Sequence, residues 1–122
     1  MRYVMLLEAT QPATPPPAEL MAAIIKLGEE ATAAGVLLDN AGLAPSQAGA
    51  KITVTGGGLS VTDGPFAETK EMISYAVYET RTKEEAVEWA SRFMKLHRDL
   101  WAGWEAECRL LKVMGPEDFQ QP

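Results

Sequence analysis

The chain predicts an α+β fold, and three observations carry that reading. Short runs that are apolar throughout or alternate polar with apolar recur along the sequence. Two amphipathic helical patterns separate them. A triple glycine between two alternating runs marks a hairpin. The resulting order is β–α–β, hairpin, β–α–β.

Tyr3-Val4-Met5-Leu6-Leu7 is apolar on both parities, as in a central strand covered on both faces, and Glu8 ends it. Thr10 to Pro17 holds four prolines and reads as a loop, with Pro17 suited to the first position of a helix. Leu20, Met21, Ile24, Ile25, Gly28 and Ala31 then recur at three- and four-residue steps, leaving Glu19, Lys26, Glu29 and Glu30 to water. Gly35 supplies the left-handed stop.

Val36-Leu37-Leu38 resumes extended structure, and Ala41 to Gly49 is expected to be loose. Lys51–Thr55 and Leu59–Thr62 alternate about Gly56-Gly57-Gly58, which predicts the hairpin. A phosphate cradle is the other reading of three glycines, but no Lys-Ser/Thr and no helix follow. Met72 to Glu79 is β-branched and aromatic, hence a strand. Thr82-Lys83-Glu84-Glu85 forms a capping box opening a second helix that runs to about Trp101, with Ala86, Ala90, Phe93, His97 and Trp101 on one stripe and Gly103 beyond its end. Glu105 to Val113 reads as the last strand, closed by Gly115-Pro116 ahead of an acidic tail. Two βαβ halves around an antiparallel sheet predict a ferredoxin-like sandwich with an extra β-hairpin.

The 122 residues suit a single domain over 1–122, large enough to bury roughly 65–70% of its unfolded surface. Hydrophobic residues make up 47% and charged residues 23%, as in an ordinary globular chain. The net charge of −6, from 17 acids against 11 bases, argues against nucleic acid and against an anionic membrane as partners. No apolar run approaches the ~20 residues that span a bilayer, and no signal peptide is expected after Arg2. The single cysteine, Cys108, has no internal disulfide partner, fits a cytoplasmic setting and reads as a small buried hydrophobe.

Two helices cover only one face of a sheet, yet both faces of the first strand and of Met72–Glu79 carry apolar residues. At about 25 cal/mol per Å² of apolar surface, leaving the second face wet would forfeit several kcal/mol. A second copy of the chain, sheet against sheet, is the expected cover, hence a homodimer.

Three segments carry a family likeness: Arg2-Tyr3-Val4-Met5-Leu6-Leu7, Val61-Thr62-Asp63-Gly64-Pro65-Phe66-Ala67-Glu68-Thr69-Lys70-Glu71, and Glu85-Ala86-Val87-Glu88-Trp89-Ala90. From about Met1 to Phe119 the chain resembles the YCII-related proteins of the DGPF-domain type. The resemblance implies a ferredoxin-like fold of the dimeric α+β barrel superfamily and a cytoplasmic protein. It also implies kinship with enzymes acting on small organic molecules, among them a dehydrochlorinase and lactone isomerases. A His–Asp pair is implied as the site, and in some DGPF proteins an association with extracytoplasmic-function sigma factors. Asp63 matches the acid of that pair. The histidine belongs on the first helix, but Glu19 to Ala34 contains none, and His97 on the second helix is the chain's one histidine.

The motif holds its own chemistry. Gly64-Pro65 after Asp63 bends the chain, and Phe66 is expected to anchor the loop in the core. Asp63, displayed at a strand end, is a candidate general acid or base; the other reading is an Asx-turn acid bonding loop N–H groups. Glu68 and Lys70 are candidate substrate contacts or else solvated charges, and Glu71 reads as a surface charge. Ser74 lies on a strand able to line a pocket. His97 is a candidate proton carrier with Asp63, or a helix-end histidine bonded to a carbonyl. Tyr75 and Tyr78 have opposite parity and are expected on opposite faces, not in one pocket. Trp89, Trp101 and Trp104 read as packing aromatics. One histidine and one cysteine give no metal-ligand spacing, and no cofactor is expected.

Together these observations predict a small cytoplasmic dimer with a small-molecule ligand between sheet and motif loop. Asp63 would move a proton in a cofactor-independent isomerisation or elimination, with His97 or Lys70 assisting. The alternative is a non-enzymatic ligand-binding or regulatory module beside a sigma factor.

Overall fold

The computed structural model describes residues 1–10 and 14–119. Residues 11–13 of the expected proline loop and the last three of the tail lie outside them.

Among the described residues, six strands and two α-helices follow the expected order: β1 (Arg2–Ala9), α1 (Ala18–Ala33), β2 (Leu37–Gly42), β3 (Ala50–Thr55), β4 (Gly58–Asp63), β5 (Glu71–Glu79), α2 (Lys83–Leu100) and β6 (Glu107–Lys112). The main sheet has strand order β2-β5-β1-β6, with every neighbouring pair antiparallel. This is the ferredoxin-like arrangement, and the β3–β4 hairpin is inserted between β2 and β5 as a separate two-stranded sheet.

Local chemistry sets the element ends. Thr82 Oγ1 accepts from the Glu85 N–H at 3.1 Å, while the Glu85 carboxylate accepts from the N–H of Arg81 instead of Thr82. The box therefore closes one residue further out than the sequence predicts. Gly35 at φ +75° and Gly103 at φ +81° take the left-handed turns that release α1 and α2. At the hairpin tip Gly56 (φ +58°) and Gly57 (φ +78°) form a two-residue turn that favours glycine at both positions. β2 runs on to Gly42, through residues expected to be loose. Asp39-Asn40-Ala41-Gly42 has poor strand propensity, and pairing with β5 overrides it.

The core lies on the helix side of the main sheet. Tyr3, Met5, Leu7 and Ala9 point there and are buried, facing Tyr78, Ala76 and Ser74 across the β1–β5 ladder. Val36 and Ala90 complete the buried cluster, with Leu37, Trp89, Phe93, Trp104 and Leu110 packed around it. The opposite face carries Val4 and Leu6, paired with Val77 and Tyr75, and Leu111 beside Val4. Those residues are half-buried, apart from Leu111, which is exposed.

α1 stands off the sheet. Of its apolar stripe only Leu20 and Ala31 are buried, while Met21 and Ile25 are exposed. A single ion pair of Arg92 Nη2 with Glu30 Oε2 at 2.6 Å ties α2 to α1 at the surface. The gap left beneath α1 is the cavity described next.

Candidate functional site

A cavity of about 320 Å³ lies between the helices and the sheet. α1 contributes Leu20, Ile24, Leu27 and Gly28; the sheet contributes Met5, Leu7, Ser74 and Ala76; the end of α2 and the turn after it contribute Phe93, His97, Trp101 and Trp104. The expected cleft lies between sheet and motif loop; this cavity lies on the helix side instead, and none of residues 63–71 lines it. Its size falls at the lower end of the ~300–1,000 Å³ typical of small-molecule sites.

Consecutive residues Asn40-Ala41-Gly42 and Ile73-Ser74-Tyr75-Ala76 all reach the wall. A run of adjacent residues does so only where backbone as well as side chain is presented. Tyr75 and Tyr78 take opposite faces of the sheet, as their parity predicts, yet both reach the cavity wall, contrary to the expectation that they do not share one pocket. The Tyr75 hydroxyl itself donates to Asp39 at 2.9 Å, which raises its pKa. Burial, and after it the nearby Cys108, pushes Tyr78 up to about 12, so it stays a neutral phenol.

His97 is 6% exposed. Its Nδ1 lies 2.9 Å from the Phe93 carbonyl oxygen. A carbonyl only accepts, so Nδ1 carries the proton and Nε2 of the neutral ring keeps its lone pair. Burial lowers the His97 pKa below its usual value, partly offset by the Phe93 bond. The ring sits in an aromatic series: Phe93 at 4.6 Å edge-on, Trp104 at 4.7 Å stacked, and Trp101 stacked on Trp104 at 5.1 Å. Two further wall residues have unmet hydrogen-bonding capacity, since Ser74 Oγ and Trp104 Nε1 are buried without a partner. Such atoms each cost roughly 1–3 kcal/mol and call for an explanation.

The motif loop sits elsewhere. Asp63 ends β4, is exposed, and does not line the cavity that holds His97 and Ser74. The Asx-turn alternative does not describe it, because the loop N–H groups find other acceptors. Gly64 N–H donates to the Gly49 carbonyl at 3.0 Å and Phe66 N–H to Ser46 Oγ at 3.1 Å, while Ser46 N–H donates to Glu71 at 3.0 Å. Glu71 is thereby a structural tie and not simply a surface charge. A Cβ at Gly64 would fall on the Ser46 carbonyl, so the close approach of the two segments requires glycine. The Gly64–Pro65 peptide is cis. Phe66 stays half-buried outside the core, beneath Lys51 Nζ at 4.8 Å from its ring, because the short loop reaches the 46–49 turn and not the sheet.

Glu68 bonds Lys51 at 2.8 Å, which holds its carboxyl below the usual range. Lys70 lies 3.6 Å from Glu107. Both stand in solvent away from the cavity wall. Among the described residues no three of His, Cys, Asp and Glu gather as metal ligands, and no helix is long and apolar enough to cross a membrane.

The model of the YCII-related domain matches residues 1–102. The chain belongs to the YCII-related family. Its α+β architecture with two helices on antiparallel strands is consistent with that family's fold. No curated protein matches the chain. Trp104 lies just beyond the matched span, while the other lining residues fall within it.

Proposed function

We propose that this YCII-related protein binds a small organic molecule in the cavity beneath α1. The cavity itself carries the reading: about 320 Å³ of space, mostly apolar, with His97, Ser74 and Trp104 at its wall. His97 is the titratable group there best suited to accept a proton and return it, which is the minimum that a cofactor-independent isomerisation or elimination needs. Asp63 enters such chemistry only through a change of position or a second copy, since in one chain it lies on the hairpin arm.

Gly28 offers a direct test. A Cβ there meets nothing closer than Leu37 Cδ2 at 3.9 Å, so a methionine fits the helix and fills the cavity. Gly28→Met is expected to fold with unchanged or higher melting temperature, since glycine costs a helix about 1 kcal/mol. Calorimetry with 2-naphthol is expected to show binding to the unaltered protein and none to Gly28→Met. Undiminished binding in Gly28→Met would reject the site. Asp63→Asn should leave that affinity unchanged.

A second reading rests on a different observation. The hairpin aligns Ile52 with Val61 and Val54 with Leu59, and all four are at least 64% exposed. With the half-open outer face of the main sheet, this favours a cytoplasmic homodimer, either as the ligand-binding form or as a regulatory module beside a sigma factor. Sedimentation at micromolar concentration tests the dimer, and a stable monomer would exclude it. Co-purification with the candidate sigma factor tests the regulatory form.

A further inference from the structure

The cavity also constrains what it holds. Among the described residues no Asp, Glu, Lys or Arg lines it. An ion entering would lose its hydration with no opposite charge to replace it. The aromatic series Phe93, His97, Trp104 and Trp101 forms one end of the wall, with successive rings 4.6, 4.7 and 5.1 Å apart. Flat π-systems gain most against such a surface. A cavity of about 150 Å³ takes one benzene ring, so about 320 Å³ suits two. Two complementary groups sit on neighbouring, stacked rings: Trp104 Nε1–H is a donor without a partner, and His97 Nε2 is an acceptor because Nδ1–H is committed to Phe93. Ser74 Oγ, also without a partner, can serve either role.

Building on the binding reading above, we propose that the ligand is an uncharged aromatic molecule of about two rings with a hydrogen-bond donor beside an acceptor. Its carbonyl oxygen meets Trp104 Nε1–H and its N–H or O–H meets His97 Nε2. A cyclic amide fused to an aromatic ring has that pattern.

Titration calorimetry with four matched probes tests this: 2-quinolone, its N-methyl derivative, 2-naphthoate and 1-decanol. 2-Quinolone should bind tightest. Loss of its N–H by methylation should weaken binding about three- to tenfold, the worth of one hydrogen bond. Trp104→Phe should weaken 2-quinolone by a similar factor without changing the ranking of 1-decanol. Binding of 2-naphthoate or 1-decanol as tight as that of 2-quinolone, and lost in Gly28→Met, would overturn the ligand class while leaving the cavity as the site. Failure of every probe to respond to Gly28→Met would overturn the cavity reading, and this proposal with it. Should Trp104→Phe melt early, 2-quinolone against its N-methyl derivative on the unaltered protein decides alone: equal affinities would refute the donor–acceptor assignment.

Discussion

The main sheet and the β3–β4 hairpin both carry apolar side chains on short strands, continuous on β1 and alternating on the hairpin, and meet opposite fates. On β1, Met5 and Leu7 are 1% and 2% exposed. On the hairpin, Val54 and Leu59 are 76% and 70% exposed. Alternation decides that a strand has an apolar face; what covers that face is decided by the rest of the chain. The body of the protein owes its stability to burial under α2 and part of α1. The hairpin rests on its ladder, its glycine turn, and the junction where Gly64 meets the Ser46 turn.

Substitutions can break this contrast or sharpen it. Leu7→Ala should have the largest effect, a loss of about 2–5 kcal/mol by denaturant unfolding, because nothing refills the space it vacates beside the cavity. Gly64→Ala should cost about 1–3 kcal/mol from the forced separation of the loop and the Ser46 turn. Its damage should be local: hydrogen exchange should quicken in β3 and β4 and stay slow in β1 and β5. Equal quickening in both sheets would show that the hairpin is integral to the body. Thr82→Ala removes the cap of α2 and should cost about 1 kcal/mol. Val54→Ala should change stability by less than about 0.5 kcal/mol in a monomer; a larger loss that shrinks on dilution would reveal a partner on the arm.

A pH series adds a test confined to the body. His97 is held neutral by burial, so its pKa is lower folded than unfolded. The unfolded chain then binds the extra proton first. The His97 contribution is complete above the usual histidine value of 6.5, and is lost as pH falls from there to the lowered folded value. Among the effects considered, this should be the smallest, read as a slope of unfolding free energy that His97→Gln flattens.

Much of the architecture is legible in the residues. The Thr82 cap, the glycines at 35, 56, 57 and 103, and the apolar periodicity of each element all act locally, and local chemistry is what one sequence displays. The extension of β2 through Asp39-Asn40-Ala41-Gly42 is not, because its warrant lies in the partner strand β5. The same divide runs through the candidate site. Ser74 and His97 can be singled out by residue type, but their common wall depends on α1 standing away from the sheet. Trp104 follows a helix stop and reads as a packing aromatic; only the fold brings it onto His97 with an unmatched N–H. Asp63, Glu68 and Lys70 form a dense motif in sequence, and the fold uses that density at the hairpin junction, apart from the cavity.

The aromatic stack has an optical consequence. Trp101 and Trp104 lie nearly parallel, 4° apart, with the His97 imidazole on the outer face of the pair. Indole emission is quenched by a protonated imidazole in van der Waals contact and shifts when water or a guest touches the ring. The chain therefore carries an intrinsic fluorophore beside the one histidine it possesses. Emission followed through acid titration would show His97 taking up its proton, and emission followed through ligand addition would show the cavity filling, both without an attached label.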